Sequence, residues 1–205
     1  MLAADPMAGR WGLHAFEDPA LGARAARPLW RGAWLRRVLV ADARIPDGAE
    51  EVFDLARFAG LATVARAVSG AEHVLLSDGV AGLRLDLASG SLLAGPACLS
   101  YRLAGFLALR GPLQTLHGLL RLSQSGRLAP PAPGDRNRRL LLLLRAGDGL
   151  RLGATHRELA AVLLGEEAGA ARWRAEAPSL RTRAQRLAKG AGAMAEGGYR
   201  ALLAR

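Results

Sequence analysis

The chain has 205 residues, 51% hydrophobic content, a formal net charge of +10, a pI near 11.4 and one cysteine, Cys98. This length allows one ample core or two smaller ones, and the lone cysteine excludes an intramolecular disulfide. No apolar run approaches the roughly 20 residues of a membrane-spanning helix, and the first residues lack the features of a secretory signal. We therefore expect a cytoplasmic protein with acidic partners and no membrane association.

The amino-terminal part is predicted to be rich in β-strands. Ser-Gly, Asp-Gly and Ser-Gly turns at 69, 78 and 89 separate segments with strand-like composition and alternation, namely Arg36 to Ile45, Leu61 to Ala67, His73 to Ser77, Val80 to Leu87 and Ala97 to Leu103. Together they predict a small antiparallel meander. A connecting helix is expected from Gly105 to Ser123, with a kink or break at Pro112.

The organisation of the chain changes near residue 126, where three prolines and two glycines occur within twelve residues. We interpret residues 126–135 as a linker. The predicted fold class is α+β: a small antiparallel β-rich domain with its connecting helix over residues 1–125, followed by an all-α, helix-turn-helix-like domain over residues 136–205.

The predicted carboxyl-terminal domain begins with two helices. Asn137 to Gly149 contains five consecutive leucines, Leu140 to Leu144, and is expected to be a helix buried on most sides. Thr155 and Glu158 have the spacing of a capping box at the start of a second helix, which Gly165 would end. A basic third helix after these two would complete a helix-turn-helix plan.

That basic helix is predicted from Ser179 to Met194. Residues 136–205 hold 14 Arg and Lys against 6 Asp and Glu, a net charge of +8, so most of the positive charge of the chain lies here. At 100° per residue one apolar edge forms, consisting of Leu180, Ala184, Leu187, Ala191 and Met194. The opposite side carries cations and no carboxylate until Glu196. A helix face that carries only positive charge favours a polyanionic partner. The simpler alternative is an ordinary basic surface helix in a chain that uses arginine for most of its cations.

The helical region also resembles a known family. It is similar to the RovC-like transcription-factor DNA-binding domain family of proteobacteria. The similarity rests on the stretch from Gly153 to Gly165, on Trp173, on Ser-Leu-Arg-Thr-Arg-Ala-Gln-Arg-Leu at 179–187, and on Gly-Gly-Tyr-Arg-Ala-Leu-Leu at 197–203. The resemblance covers about residues 136–203. It implies a regulator of type VI secretion or of conjugative transfer, a role filled in this family by activators and by antiactivators that bind a partner protein. The spacing departs from an ordinary helix-turn-helix, since 13 residues, Glu166 to Pro178, follow the second helix where about 3–4 are usual.

The residues predicted to contact double-stranded DNA lie on the basic helix and at the start of the capped helix: Arg181, Thr182, Arg183, Gln185, Arg186, Lys189, His156 and Arg157. Arg183 and Arg186 can offer bidentate donors to guanine or phosphate, and Gln185 can pair with adenine. Thr182 is a candidate for a phosphate or a thymine methyl, and Lys189 for a phosphate. His156 and Arg157 are candidates for backbone contacts.

Other function classes have less support in the sequence. The four histidines are dispersed, and no zinc, nucleotide or serine-hydrolase motif occurs in its structural context, so we expect no enzyme, no cofactor and no metal. Single-stranded RNA readers present stacking aromatics, whereas only Trp173 and Tyr199 are aromatic after residue 135. The remaining alternatives are an antiactivator that binds a related regulator and a nonspecific nucleic-acid-binding protein.

The function of the β-rich domain is left open by the sequence. Trp11, Trp30, Trp34 and Phe53 are enough to line a ligand pocket, but scattered aromatics of this kind are more often core residues. Binding of RNA polymerase or of a regulatory protein is another alternative. We favour a homo-oligomer, because two DNA-binding domains acting together multiply a modest affinity.

Overall fold

The computed structural model of the protein describes residues 2–3, 12–18, 20–22, 24–130, 135–165 and 178–203. By its internal contacts the chain divides into two compact units, residues 1–131 with 203–205, and residues 132–202. Part of the predicted linker, residues 131–134, lies outside the described residues, as do Trp11 and the whole segment 166–177 with Trp173. The predicted α+β class is confirmed by a sheet followed by helices.

The first unit is built on a six-stranded sheet in the order β1-β3-β4-β5-β2-β6. Its strands are β1 Leu2–Ala3, β2 Val38–Arg44, β3 Ala62–Arg66, β4 Glu72–Ser77, β5 Gly82–Ser89 and β6 Cys98–Arg102. All five predicted strands are confirmed within a few residues. Gly70, Gly79 and Gly90 have φ of 88°, 86° and 77°, the left-handed conformation for which glycine was expected in the three predicted turns.

The prediction of a simple antiparallel meander is wrong in one respect. Strands β3, β4 and β5 do form an antiparallel meander, and β2 is antiparallel to β6. However, β2 lies between β5 and β6 and runs parallel to β5, and the short β1 is parallel to β3. Leu39 and Ala41 of β2 are fully buried, which explains why this apolar strand occupies an interior position with a neighbour on each side.

One face of the sheet packs against helix α1, Arg110–Ser125. Leu119 and Leu122 of the helix join Leu39, Leu76 and Leu85 of the strands in the main core cluster. The Thr115 hydroxyl donates a hydrogen bond to the Arg37 carbonyl at 2.8 Å, which fixes the helix to the segment before β2.

Helix α1 continues through Pro112, so the expected kink is absent. Pro112 lies in the first turn, where the missing N–H costs no hydrogen bond of the helix. A separate 3-10 turn, Phe106–Ala108, precedes the helix and accounts for the earlier start that the sequence predicted.

The second unit contains helices α2, Asp135–Arg151; α3, His156–Leu164; α4, Pro178–Ala193; and α5, Arg200–Leu203. A wide turn, Met194–Gly198, separates α4 from α5. The first three of these helices pack on one another, with Ala146 of α2, Leu159 and Ala160 of α3, and Ala184 of α4 buried.

The five-leucine run of α2 is less buried than expected. Leu141 and Leu144 are 51% and 63% exposed, and Leu140, Leu142 and Leu143 are half-buried. The fully buried position of this helix is Ala146, because α2 approaches its neighbours through small residues. The prediction of a helix buried on most sides is therefore wrong, and Leu141 and Leu144 form an exposed apolar patch.

Candidate nucleic-acid interface

Helix α4 carries most of the predicted DNA-contacting residues and spans Pro178–Ala193. Pro178 is its first residue, a position where proline has no helical hydrogen bond to lose. The regular helix ends at Ala193, and Gly197 in the following turn has φ of 117°, which a residue with a side chain rarely adopts. The predicted helix, Ser179 to Met194, is thus confirmed to within one residue at each end.

The predicted apolar edge of α4 is its buried side. Ala184 and Ala191 are buried, and Leu180, Leu187 and Met194 are half-buried. Ala184 packs with Ala160 of α3, and Leu180 borders the same cluster.

Small residues allow α2 to approach α4 closely. A Cβ atom added at Gly190 would lie 2.8 Å from Leu143 Cδ2, and one at Gly147 would lie 3.7 Å from the Ala191 Cβ. The Gly-Ala-Gly run at 190–192, which superficially resembles a nucleotide-binding motif, is thus explained in part by helix packing, with Gly192 left facing open space.

The opposite side of α4 is exposed at every predicted position: Arg181, Thr182, Arg183, Gln185, Arg186 and Lys189. The helix contains four cations and no carboxylate. In the part of the chain that the structure describes, no salt bridge involves Arg183, Arg186 or Lys189. These three residues are spaced by three along the helix, so they form a row about 9 Å long at 1.5 Å rise per residue.

Thr182 differs from its neighbours because its hydroxyl is already engaged. It donates a hydrogen bond to the Pro178 carbonyl at 2.9 Å, one helical turn back. A phosphate oxygen needs a donor, and this donor is occupied. The geometry therefore favours the thymine-methyl contact over the phosphate contact, the two options that the sequence left open.

The start of α3 has the predicted capping box. The Glu158 amide donates to the Thr155 hydroxyl at 3.3 Å, and the Glu158 carboxylate accepts from the Thr155 amide at 2.7 Å. The hydrogen bonds that the Glu158 carboxylate accepts from the Thr155 amide and from the Thr155 hydroxyl lower the pKa of Glu158 below its usual value. His156 and Arg157 are exposed in the first turn, and their backbone amides are not part of the box.

A polar cluster on the sheet was not anticipated from the sequence. Arg84 is buried, and its Nη2 lies 2.8 Å from Asp86 Oδ1 and 3.3 Å from His14 Nε2. His73 Nδ1 lies 3.0 Å from the same carboxylate oxygen, and the His14 and His73 ring centroids are 4.1 Å apart. The available signal was the alternation of Arg84 and Asp86 with leucines along β5, which places both charges on the face opposite α1.

Burial and the nearby charges of His73 and Arg84 lower the pKa of His14 to about 4. The ring is therefore neutral at physiological pH. Burial also lowers the pKa of Arg84. The cluster lies wholly within the sheet unit.

The described residues contain no group of three or more metal-ligating side chains. Among the helices that the structure describes, none combines the length and apolarity needed to span a membrane.

Comparison with known proteins identifies the helical region. Residues 104–204 match a family described as T6SS, transcription factor, DNA binding domain, the RovC DNA-binding domain family. No curated protein shows a significant match to the chain. The matched region includes α1 and all helices of the second unit, together with the capping box and the cationic face. The carboxyl-terminal half of the chain therefore belongs to the RovC DNA-binding domain family of transcription factors.

Proposed function

We propose that the protein is a sequence-specific regulator of transcription that binds double-stranded DNA through the exposed face of α4. The single observation that carries this proposal is the one-sided distribution of α4: Leu180, Ala184, Leu187 and Ala191 are buried or half-buried, while its cations, Gln185 and Thr182 are exposed. A rigid helix that presents positive charge with hydrogen-bonding groups between the charges suits the major groove of a duplex.

Each exposed residue has a proposed role that follows from its chemistry. Arg183 and Arg186 offer bidentate donors to a guanine edge or a phosphate, and Gln185 pairs with adenine. Lys189 neutralises a phosphate, as does Arg181 at the flank of the face. Thr182 contacts a thymine through its methyl group, since its hydroxyl is bonded to Pro178.

Helix α3 is proposed to contact the DNA backbone, as the helix before the recognition helix does in a helix-turn-helix protein. Its packing on α4 supports this arrangement. His156 and Arg157 would contact phosphate beside the amides of the helix start. The 13 residues from Glu166 to Pro178 make the connection longer than the usual turn of about 3–4 residues.

Regulation by this protein is proposed to require a homo-oligomer, because a single small domain of this type binds one half-site and two acting together multiply its affinity. We further propose that it acts as an activator in the cytoplasm, where it would contact RNA polymerase or a regulatory protein once bound to a promoter.

The test is genome-wide mapping of bound DNA, followed by competition between a recovered site and single-stranded RNA of equal length. Discrete sites with a repeated half-site, and preference for the duplex, are expected. Uniform coverage of the chromosome would instead identify a nonspecific coating protein, and stronger binding to RNA would contradict the proposal.

A second candidate function is binding to a related regulator as an antiactivator. The observation in its favour is the exposure of Leu141 and Leu144 on α2, since exposed apolar patches of this kind often bind proteins. Absence of any bound DNA in the mapping experiment, with capture of a related regulator that is lost in Leu144→Glu, would favour this candidate.

A further inference from the structure

A cleft of about 910 Å³ lies within the sheet unit, between the segment that leads into β2 and the start of α1. Small-molecule sites usually have volumes of roughly 300–1,000 Å³. The two walls of the cleft are in direct contact. A Cβ atom added at Gly111 would overlap the Arg36 carbonyl oxygen, and the Arg37 carbonyl accepts the hydrogen bond of the Thr115 hydroxyl. The packing of α1 therefore holds both walls in place.

Three arginines line this cleft: Arg36 and Arg37 before β2, and Arg110 at the start of α1. All three are exposed. Within the described ranges, none of them forms a salt bridge or a side-chain hydrogen bond. The described lining residues include no carboxylate. Because a cleft lined by charges of one sign concentrates ions of the opposite sign, this cleft is suited to an anion.

The fold brings together two parts of the chain that lack acidic residues. Residues 19–41 contain five arginines and no Asp or Glu, and residues 87–134 contain four arginines and no Asp or Glu. Asp42 and Asp86, the carboxylates next to these stretches, already pair with arginines of the strands. Neither is therefore free to act as a counter-ion for the arginines of the cleft.

The other lining residues are mostly apolar. Leu35 and Val38 lie on the β2 side and Leu107 and Pro112 on the α1 side, with Gln114 as an uncharged hydrogen-bonding group. Leu107 is fully exposed. Exposed apolar side chains beside unpaired cations suit a ligand that has an apolar part as well as an anionic part.

We propose that this cleft binds a small organic phosphate of the nucleotide class. Arginine binds phosphate oxygens through paired N–H donors, and three guanidiniums match the several negative charges of a nucleoside diphosphate. The apolar residues and Gln114 would contact the organic part of the ligand. The site lies in the sheet unit, whereas α4 belongs to the other unit, so this inference does not rest on the proposed binding of DNA.

The probe is ADP, titrated into the full-length chain and followed by calorimetry. We expect a dissociation constant below about 1 mM, and binding at least about tenfold weaker in Arg36→Gln with Arg37→Gln, because hydrogen bonds to charged groups are strong. The matched control is Arg66→Gln with Arg127→Gln, two exposed arginines of the same unit outside the cleft. It should bind ADP as the natural chain does. No binding of ADP, or equal weakening in both double variants, would overturn the proposal.

The apolar side of the cleft is tested by Leu107→Glu, with Val80→Glu as a control at an exposed turn position outside the cleft. The affinity for ADP should fall at least about threefold in Leu107→Glu, since the new carboxylate repels phosphate, and should stay unchanged in Val80→Glu. Equal affinities of these two variants would show that the ligand lies elsewhere.

A last comparison separates this site from the DNA-binding face. Arg183→Ala with Arg186→Ala on α4 should leave the affinity for ADP unchanged, because these arginines lie in the other unit. Loss of ADP binding in this variant would place the ligand on α4 and overturn the proposal. Duplex DNA added to the same variant should not displace ADP. Displacement would identify DNA as the source of the phosphate and overturn the small-molecule assignment. The titration itself needs no DNA, so its failure is distinguishable from failure of the proposed function.

Discussion

Removing two arginines from α4 should change the salt dependence of DNA binding by a predictable amount. Arg183 and Arg186 are exposed, lie one turn apart and have no salt bridge within the described residues. If both neutralise phosphate, the double variant Arg183→Ala with Arg186→Ala releases two fewer counterions on binding. Each contact contributes about 0.9 to the slope of log affinity against log salt, so the slope should become shallower by about 1.8.

This slope converts to an affinity ratio that can be measured directly. Raising the salt from about 50 to 200 mM lowers the affinity for DNA. This loss of affinity is smaller by about 3.5-fold when one phosphate contact is missing, and by about 12-fold when two are missing. The double variant should therefore be much weaker than the natural chain at low salt, and the difference should shrink by about 12-fold at the higher salt concentration.

Fluorescence anisotropy with a labelled duplex at several salt concentrations would measure both slopes. A control with the same charge change is Arg66→Ala with Arg127→Ala, two exposed arginines of the sheet unit. The control should leave the slope unchanged. An identical slope for the natural chain and the α4 variant would refute phosphate contact by these residues. A loss confined to one DNA sequence, with the slope unchanged, would instead identify base-edge contacts.

Four further predictions concern stability, measured by chemical denaturation. Gly111→Ala should destabilise the sheet unit by more than about 2 kcal/mol, because its Cβ would overlap the Arg36 carbonyl oxygen. Gly192→Ala should stabilise α4 by about 0.5–1 kcal/mol, since nothing lies within 4 Å of the added atom. Thr155→Ala should destabilise the helical unit by about 1 kcal/mol through loss of the capping box. His14→Gln should remove a pH dependence of stability between about 6.5 and 4.

The sign of the His14 effect follows from its lowered pKa. The folded ring titrates at about 4 and the unfolded ring near 6.5, so between these values the unfolded chain binds the extra proton. This contribution to stability is fully present above pH 6.5 and is lost as the pH falls toward 4. The full pKa shift corresponds to about 3 kcal/mol in the free energy of unfolding. Because the ring is partly exposed, we expect a contribution of about 1–2 kcal/mol. A natural chain whose stability is flat between these pH values would contradict the assignment.

The controls for the other three variants separate local from general effects. Gly111→Ala and Gly192→Ala introduce the same methyl group into two helices, and they should act in opposite directions. If both destabilise the protein equally, the close approach of α1 to Arg36 is not the cause. For Thr155→Ala, Thr155→Ser should restore most of the stability, because serine supplies the same hydroxyl acceptor.

Local features of the fold were predictable from the sequence because they depend on neighbouring residues. The capping box of Thr155 and Glu158, the edges of α4 and the turn at Gly79 follow from short-range hydrogen bonding, helical periodicity and glycine conformation. The exposure of the six candidate residues of α4 was predictable for the same reason, since a fixed apolar edge determines the opposite face.

Features that depend on distant partners were not predictable in this way. The sequence contains no signal that β2 pairs with β5 in parallel, because that pairing joins strands separated by two others along the chain. The leucines of α2 were expected to be buried, yet the contacts with α4 are made by Leu143 and Gly147, and Leu141 and Leu144 are left exposed. The polar cluster likewise combines Arg84 and Asp86 of β5 with His73 of β4 and with His14 from a distant part of the chain.

The most direct test of the central claim is contact mapping from α4 to DNA. A photoreactive group would be attached through a cysteine at Gln185→Cys, with Cys98→Ser to remove the native thiol, and Val68→Cys in the sheet unit would serve as the control. Both positions are exposed, so both accept the label. We expect cross-links from position 185 to a discrete position of a bound duplex and none from position 68. Bound DNA that cross-links equally from both positions, or from position 68 alone, would contradict the assignment of α4 as the helix that binds DNA.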